Sequence, residues 1–276
     1  MKPILARGSR RAVVATFLVL TALTSVADAS RLTTARAVVQ QFEKAHGSRE
    51  GWNAISSMRW LGTLVQGESE YELVLARKRP NLLRFSLKRD DVRLVFGYDG
   101  ERAWLQRYFE GIPVDAQILE DVQAARIRRE AEFDWPYFQL MDPLTRVGLK
   151  GTAQVNGREA YQLNVETDLV KELDLFLDAE DFRIVRTTVV EEGPTEAEDD
   201  DVLIVDSYSE TVRVMVPLSD AESDIPFPKH LQTTIDGDPD NQVEWDAVDV
   251  NIGLFDSYFR MPPQLQEATP GEVVNL

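Results

Sequence analysis

Two stretches decide how this chain is read: VNGREAYQLNVET (Val155–Thr167) and FGYDGERAWLQ (Phe96–Gln106). Each carries a turn pair, Asn156-Gly157 or Asp99-Gly100. Two charged residues follow, then an alanine and a large aromatic, Tyr161 or Trp104. Apolar residues alternate on both sides. A two-residue type I′ turn needs positive φ at both central residues, which Asn-Gly and Asp-Gly adopt at low cost. Both stretches therefore read as tight hairpin reversals in a meandering antiparallel sheet. Neither has a catalytic side chain beside it.

Working outward, the same period of two continues. Residues 58–66 and 70–77 read as strands, the second with Tyr71, Leu73 and Leu75 on one face. Residues 82–88 place Leu83, Phe85 and Leu87 together, and 92–98 place Val92, Leu94, Phe96 and Tyr98 together. After 102–107 the pattern breaks at Gly111-Ile112-Pro113. It resumes at 145–155, 159–166, 171–177 and 183–190, then at 202–205, 211–216, 229–235 and 242–250. Asp236-Gly237 reads as a third tight turn. Strands with one apolar and one polar face predict a sheet buried on one side.

Helical spacing appears in two places. Residues 33–45 carry Ala37, Val38 and Phe42 on one stripe, with Thr34 or Thr33 as cap and Gly47 as stop; 49–56 add Trp52 and Ile55. Within 114–130, Ile118, Leu119, Val122 and Ala125 fall at helical spacing. A charged run, 126–132, leads into an aromatic cluster of Phe133, Trp135, Tyr137 and Phe138, which Asp142-Pro143 ends.

The chain of 276 residues has a formal charge of −17 and no cysteine. Acidity of this size repels nucleic acid and anionic lipid surfaces, so no nucleic-acid partner is expected. Disulfides, thiol catalysis and cysteine-ligated metals are excluded, and so is lipidation at an N-terminal cysteine. The first 29 residues show a basic start (Lys2, Arg7, Arg10, Arg11), an apolar stretch and Ala27-Asp28-Ala29. That is the three-part pattern of a secretory signal peptide, with cleavage expected near Ala29. The apolar stretch is shorter than the ~20 residues of a spanning helix. Ser9-Arg10-Arg11 leaves a twin-arginine route open beside the general one. The expected location is the periplasm.

Chemistry-bearing motifs are sparse. There is no HExxH, no G-x-S-x-G and no glycine-rich phosphate loop. His46 lies at a helix end, where a dipole interaction is the ordinary explanation, and His230 lies at a strand start. A carboxylate pair for glycoside hydrolysis needs only two acids about 5–10 Å apart, and no acid stands out. The acidic run Glu191–Asp201 lacks the spaced ligands and glycine of a calcium loop and reads as a solvated connection. No enzyme, cofactor or metal is expected.

The order of elements resembles the LolA-like superfamily of periplasmic outer-membrane lipoprotein-sorting proteins and lipoprotein carriers. FEKAHGSREGWNAISSMRWLGTL, with Ala45-His46-Gly47-Ser48 through Ile55 and Gly62, is similar to that family's helix–helix–strand start. FGYDGERAWLQ resembles its Asp-Gly hairpin, VNGREAYQLNV with LFLDAEDFRIVR its later hairpin pair, and VNIGLFDSYFRMP its closing segment. The likeness runs from about residue 33 to 263. It implies a mainly β (α+β) fold: a curved, incomplete antiparallel β-barrel covered on its concave side by helices. Residues 30–263 would form that domain with a lid at about 114–141, and 264–276 would be a C-terminal tail. The segment 212–224 and the acidic run look like insertions. The resemblance assigns no arginine of this chain to holding the lid.

A carrier of this kind would bind lipoprotein acyl chains, or a related lipid, as a monomer. Its further partners would be a membrane transporter or an outer-membrane receptor. The cavity-lining candidates are Leu83, Phe85, Leu94, Phe96, Trp104, Ile118, Val122, Phe133, Trp135, Tyr137 and Phe138. An ordinary filled core accounts for the same residues, and both readings stand at this point. The alternative function is a non-enzymatic sensor or regulator that binds a membrane-protein partner with the same half-barrel.

Overall fold

The computed structural model describes residues 32–136, 138–192, 201–219 and 222–275. Residues 1–31, on which the signal-peptide expectation falls, Tyr137 and most of the acidic run lie outside them.

Helices α1 (Ala35–Ala45) and α2 (Ser48–Asn53) open the fold. Thr34 caps α1 by accepting from the Ala37 amide at 3.2 Å. Six strands follow: β1 (Ser57–Gln66), β2 (Ser69–Lys78), β3 (Leu82–Arg89), β4 (Val92–Tyr98), β5 (Ala103–Phe109) and β6 (Ile112–Ile118). Helix α3 (Asp121–Ala131) and a 3-10 turn (Phe138–Met141) separate them from the second set. That set is β7 (Val147–Val155), β8 (Arg158–Val165), β9 (Glu172–Asp178), β10 (Ile184–Glu191), β11 (Val202–Pro217), β12 (Glu222–Ile235) and β13 (Asp238–Val250), and β14 (Val273–Asn275) ends the chain.

All pairings are antiparallel, in the order β14-β6-β5-β4-β3-β2-β1-β13-β12-β11-β10-β9-β8-β7. Two meanders are thus joined where β13 returns to β1, with Met58 opposite Val250. The result is a curved, incomplete barrel. Its main core lies where Val38, Phe42 and Trp52 of the two N-terminal helices, with Ile55 just after α2, meet inward residues of the sheet such as Leu163, Leu175 and Phe227.

The turns divide by mechanism. Asn156-Gly157 (φ 51 and 79) and Asp236-Gly237 (φ 52 and 89) are left-handed at both positions and close two-residue hairpins. Asp99-Gly100 does not: the loop has four residues, and Asp99 Oδ1 accepts from the amides of Glu101 (3.1 Å) and Arg102 (2.9 Å). Its aspartate stabilises the turn through the side chain rather than through positive φ. Glu110-Gly111 (φ 49 and 79) is a further tight turn, so Gly111-Ile112-Pro113 continues the sheet where the sequence suggested a break.

Three other expectations change. The helical reading of 114–130 holds only from Asp121; Val114, Ala116 and Ile118 fit a period of two as well as one of 3.6, and β6 claims them. Residues 202–205 and 211–216 belong to one long strand, β11, kinked at Glu210 (φ 54), which has no partner in the β12 register. Residues 264–276 were expected as a tail. Leu265, Ala268 and Val274 instead pack on the convex face of β4–β6, and β14 pairs with β6.

Candidate functional site

The two parts of the concave face differ in how they are filled. Around β1 and β7–β13 the interior is solid with aromatic rings. Trp52 stacks on Phe138 with centroids 3.6 Å apart, Phe133 lies 5.6 Å from Trp52, and Phe227 closes on both Trp60 and Phe138 at 5.8 Å. Phe133, Trp135 and Phe138 are therefore buried core residues here. Tyr137 lies outside the described residues.

On β2–β5 the apolar residues form cross-strand rows that nothing covers fully. Trp60, Leu75, Phe85, Phe96 and Leu105 are consecutive register partners, and so are Leu73, Leu87 and Leu94 in the next row. Phe85 and Phe96 stack at 4.6 Å and are only half-buried, as is Leu94. The face continues to the rim as Val92, Phe109 and Ile112, with Phe109 50% and Ile112 65% exposed. Leu83 anchors the opposite end, fully buried.

Two expected lining residues are on the other side of the sheet. Trp104 pairs with Gly97 and Ile118, not with Phe96, and both it and Ile118 pack against Met261 and Leu265 on the convex face. Alternation decides this: Trp104 points opposite to its neighbours Ala103 and Leu105. The indole lies across Gly97, where a Cβ would come within 2.3 Å of the ring. Val122 sits on α3, 36% exposed, outside the groove.

Helix α3 crosses this face. Its large buried apolar side chain is Ile127, which packs with Leu83, Tyr98, Leu119 and Ala131. Polar contacts hold the rest. Arg77 of β2, on the same face as Leu73 and Leu75, donates from Nη1 to the Trp135 carbonyl and from Nη2 to Glu130, both at 2.9 Å. Arg126 donates to Glu191 of β10 at 2.7 Å, and Arg129 donates to the other oxygen of the same carboxylate. Arg129 also lies over the Trp135 ring at 5.2 Å. Beside this network Asp206 of β11 accepts from Thr233 at 2.7 Å. Burial pushes its carboxyl up to about 6; the Thr233 hydrogen bond and Arg129 oppose that rise.

Sequence reasoning missed these polar residues, although one signal was present. Arg77 continues the alternation Tyr71, Leu73, Leu75 and so puts a guanidinium on the apolar face.

No protein-family model and no curated protein matches the sequence. Among solved structures, a LolA superfamily protein from Nitrosomonas europaea aligns with 83% of this chain and 99% of its own length, at TM-score 0.50 and 8% identity. The chain shares its fold with the LolA superfamily. A DUF1329 family protein from Desulfovibrio piger (TM-score 0.49, 10% identity, 82% and 96% covered) also aligns. So does a putative outer membrane lipoprotein-sorting protein domain from Vibrio parahaemolyticus (0.43, 11%, 81% and 94%). Within the LolA-superfamily fold, the half-exposed rows of β2–β5 and the ion-paired α3 are the features of this chain from which a binding site can be built.

Proposed function

We propose that this protein is an exported, non-catalytic carrier. It takes the acyl chains of lipoproteins, or of a related lipid, onto the concave face of β2–β5 beneath α3. The carrying observation is the apolar track that runs from the Phe85–Phe96 stack along β4 through Leu94 and Val92 to the exposed Phe109 and Ile112, with the Arg107–Asp115 ion pair beside it. The cover over it is fixed by one large apolar side chain and several ion pairs.

The magnitudes support a movable cover. Burying Ile127 stabilises α3 on the sheet by ~1.5–3 kcal/mol. A bound acyl chain gains about 0.8 kcal/mol per methylene, so ten methylenes exceed that anchor by a few kcal/mol. Set against Ile127 together with the ion pairs of Arg77, Arg126 and Arg129, this gain is of the same order, so an acyl chain can shift the helix toward a lifted state and take the Ile127 site on the sheet. The solid aromatic core on the other side stays in place as scaffold. The basic start, apolar stretch and Ala27-Asp28-Ala29 support the periplasm as the site of action. His46 is held neutral in the core with its Nδ1 donating to the Phe42 carbonyl at 3.0 Å, which gives that ring a packing role.

The test is uptake of a fluorescent fatty acid and of a triacylated peptide by delipidated protein, with native mass spectrometry of detergent-free protein. Saturable binding and a co-purified lipid are expected. Absence of uptake in both the wild type and a Glu191→Gln variant overturns the carrier reading. Capture of a membrane protein that survives delipidation would favour a regulator instead.

A further inference from the structure

Behind α3, on the side away from Ile127, lies a second cleft of about 360 Å³ between the helix and the β8–β10 connections. It differs from the rest of this acidic chain. Arg126, Arg128 and Arg129 line it from the helix, and Lys171 faces them from the start of β9. Asp168, Glu191 and Glu192 are the acids of its wall. In a protein of net charge −17 the cleft gathers four basic side chains, of which Arg126 and Arg129 are paired with Glu191 and Lys171 with Asp201. Arg128 is exposed and makes no ion pair among the described residues. Val122, Leu169 and Val170 add apolar floor beside the charges.

We infer that this cleft receives the anionic headgroup, a carboxylate or phosphate, of an amphiphile whose hydrocarbon occupies the β2–β5 face. The inference rests on the carrier reading and adds the ligand's charge. Guanidinium groups suit such oxyanions because they donate two parallel N–H bonds. The same Arg126 and Arg129 clamp Glu191, so an incoming anion competes with that carboxylate. Headgroup binding thereby loosens the attachment of α3 to β10. Cargo recognition and opening of the cover are then one event, and neutral amphiphiles enter less readily.

The experiment compares dodecanoate with dodecanol by calorimetry at pH 7.5, using the full chain after delipidation. Dodecanoate is expected to bind at least tenfold more tightly. In Arg128→Gln, which leaves the buried Arg129–Glu191 pair intact, the acid-to-alcohol ratio falls at least threefold. It falls to near one in the double variant Arg126→Gln/Arg128→Gln. Millimolar inorganic phosphate is expected to change dodecanoate affinity less than twofold. Equal affinity for acid and alcohol overturns the anion site while leaving the carrier reading in place, as does a ratio unmoved by Arg128→Gln. Displacement of dodecanoate by phosphate shows a site for free anions and overturns the amphiphile assignment. Binding of neither compound overturns both readings.

Discussion

Arg77 and Trp135, 58 positions apart, are tied by a single hydrogen bond from the guanidinium to a main-chain carbonyl at 2.9 Å. It fixes the segment after α3 to β2 and so sets where the cover ends. The other arm of the same guanidinium reaches Glu130, so one buried cation holds both the helix and its exit.

Replacing Arg77 by Ala removes both contacts and opens a void against Trp60. Glu130 is partly exposed and can be solvated, which limits the cost. A loss of about 2–3 kcal/mol is expected from the hydrogen bonds and packing. Chemical denaturation checks it; a change under 0.5 kcal/mol would contradict the role assigned to Arg77.

Glu191→Gln separates α3 from β10 while leaving the sheet intact. Arg129 is buried, and Glu130 at 3.5 Å and Asp206 remain as its acidic neighbours. The helix should open more often, with amide exchange of 121–131 at least tenfold faster and fatty-acid association quickened. Hydrogen exchange by mass spectrometry reads this directly, and unchanged exchange in α3 would show that the ion pairs do not hold it.

Trp104 and Phe96 provide opposed controls on neighbouring strands. Trp104→Ala excavates the convex core and should cost ~3–5 kcal/mol, with lipid affinity at a permissive temperature within twofold of wild type. Phe96→Ser should cost less stability, because the ring is half-exposed, and reduce lipid affinity at least fivefold. Denaturation and ligand titration on both variants discriminate; a lipid defect in Trp104→Ala alone would place the site on the wrong face.

Two buried groups set opposite pH trends. His46 is held down to about 4, from 6.5, mainly by burial. The unfolded chain takes its proton first, so stability falls as pH drops from 6.5 to about 4 and then levels, by up to ~3 kcal/mol. Asp206 is raised to about 6, from 3.8, so the folded state takes its proton first. Its charged form penalises the fold above about pH 6, and that penalty fades between 6 and 4. Denaturation from pH 4 to 8 should therefore show His46→Phe removing a loss on the acid side and Asp206→Asn stabilising above pH 6. If neither variant alters the pH profile, the burial of these groups is not maintained in solution.

The sheet was legible because alternation is a local property. Leu83, Phe85, Leu94 and Phe96 can be assigned to one face from spacing alone, and Asn156-Gly157 fixes its hairpin without help. The reading failed at Trp104, although spacing carries its side too. Across either a two-residue turn or the observed four-residue loop, Trp104 pairs with an odd-numbered residue of β4, here Gly97, on the face opposite Phe96, so carrying the alternation across the turn places it on the convex side. The aromatic cluster failed for another reason: composition cannot say whether Phe133 and Phe138 border a hollow or fill it, and Trp52 from α2 decides that by stacking on Phe138. His46 sits at the end of α1 as expected, but the dipole explanation needs a charged ring, and burial beneath Phe42 and Phe138 keeps it neutral. The cover's polar fastening was invisible because Glu191 lies 62 residues beyond Arg129 and meets it only once β10 is in place.

The register of Met58 with Val250 has a consequence for biogenesis. Until the residues of β13 emerge from the ribosome, β1 has a neighbour on one side only, and its open amides invite any passing strand. Contacts of such sequence separation form slowly. Truncation before residue 242 leaves that edge open and should yield aggregates rather than a smaller folded unit.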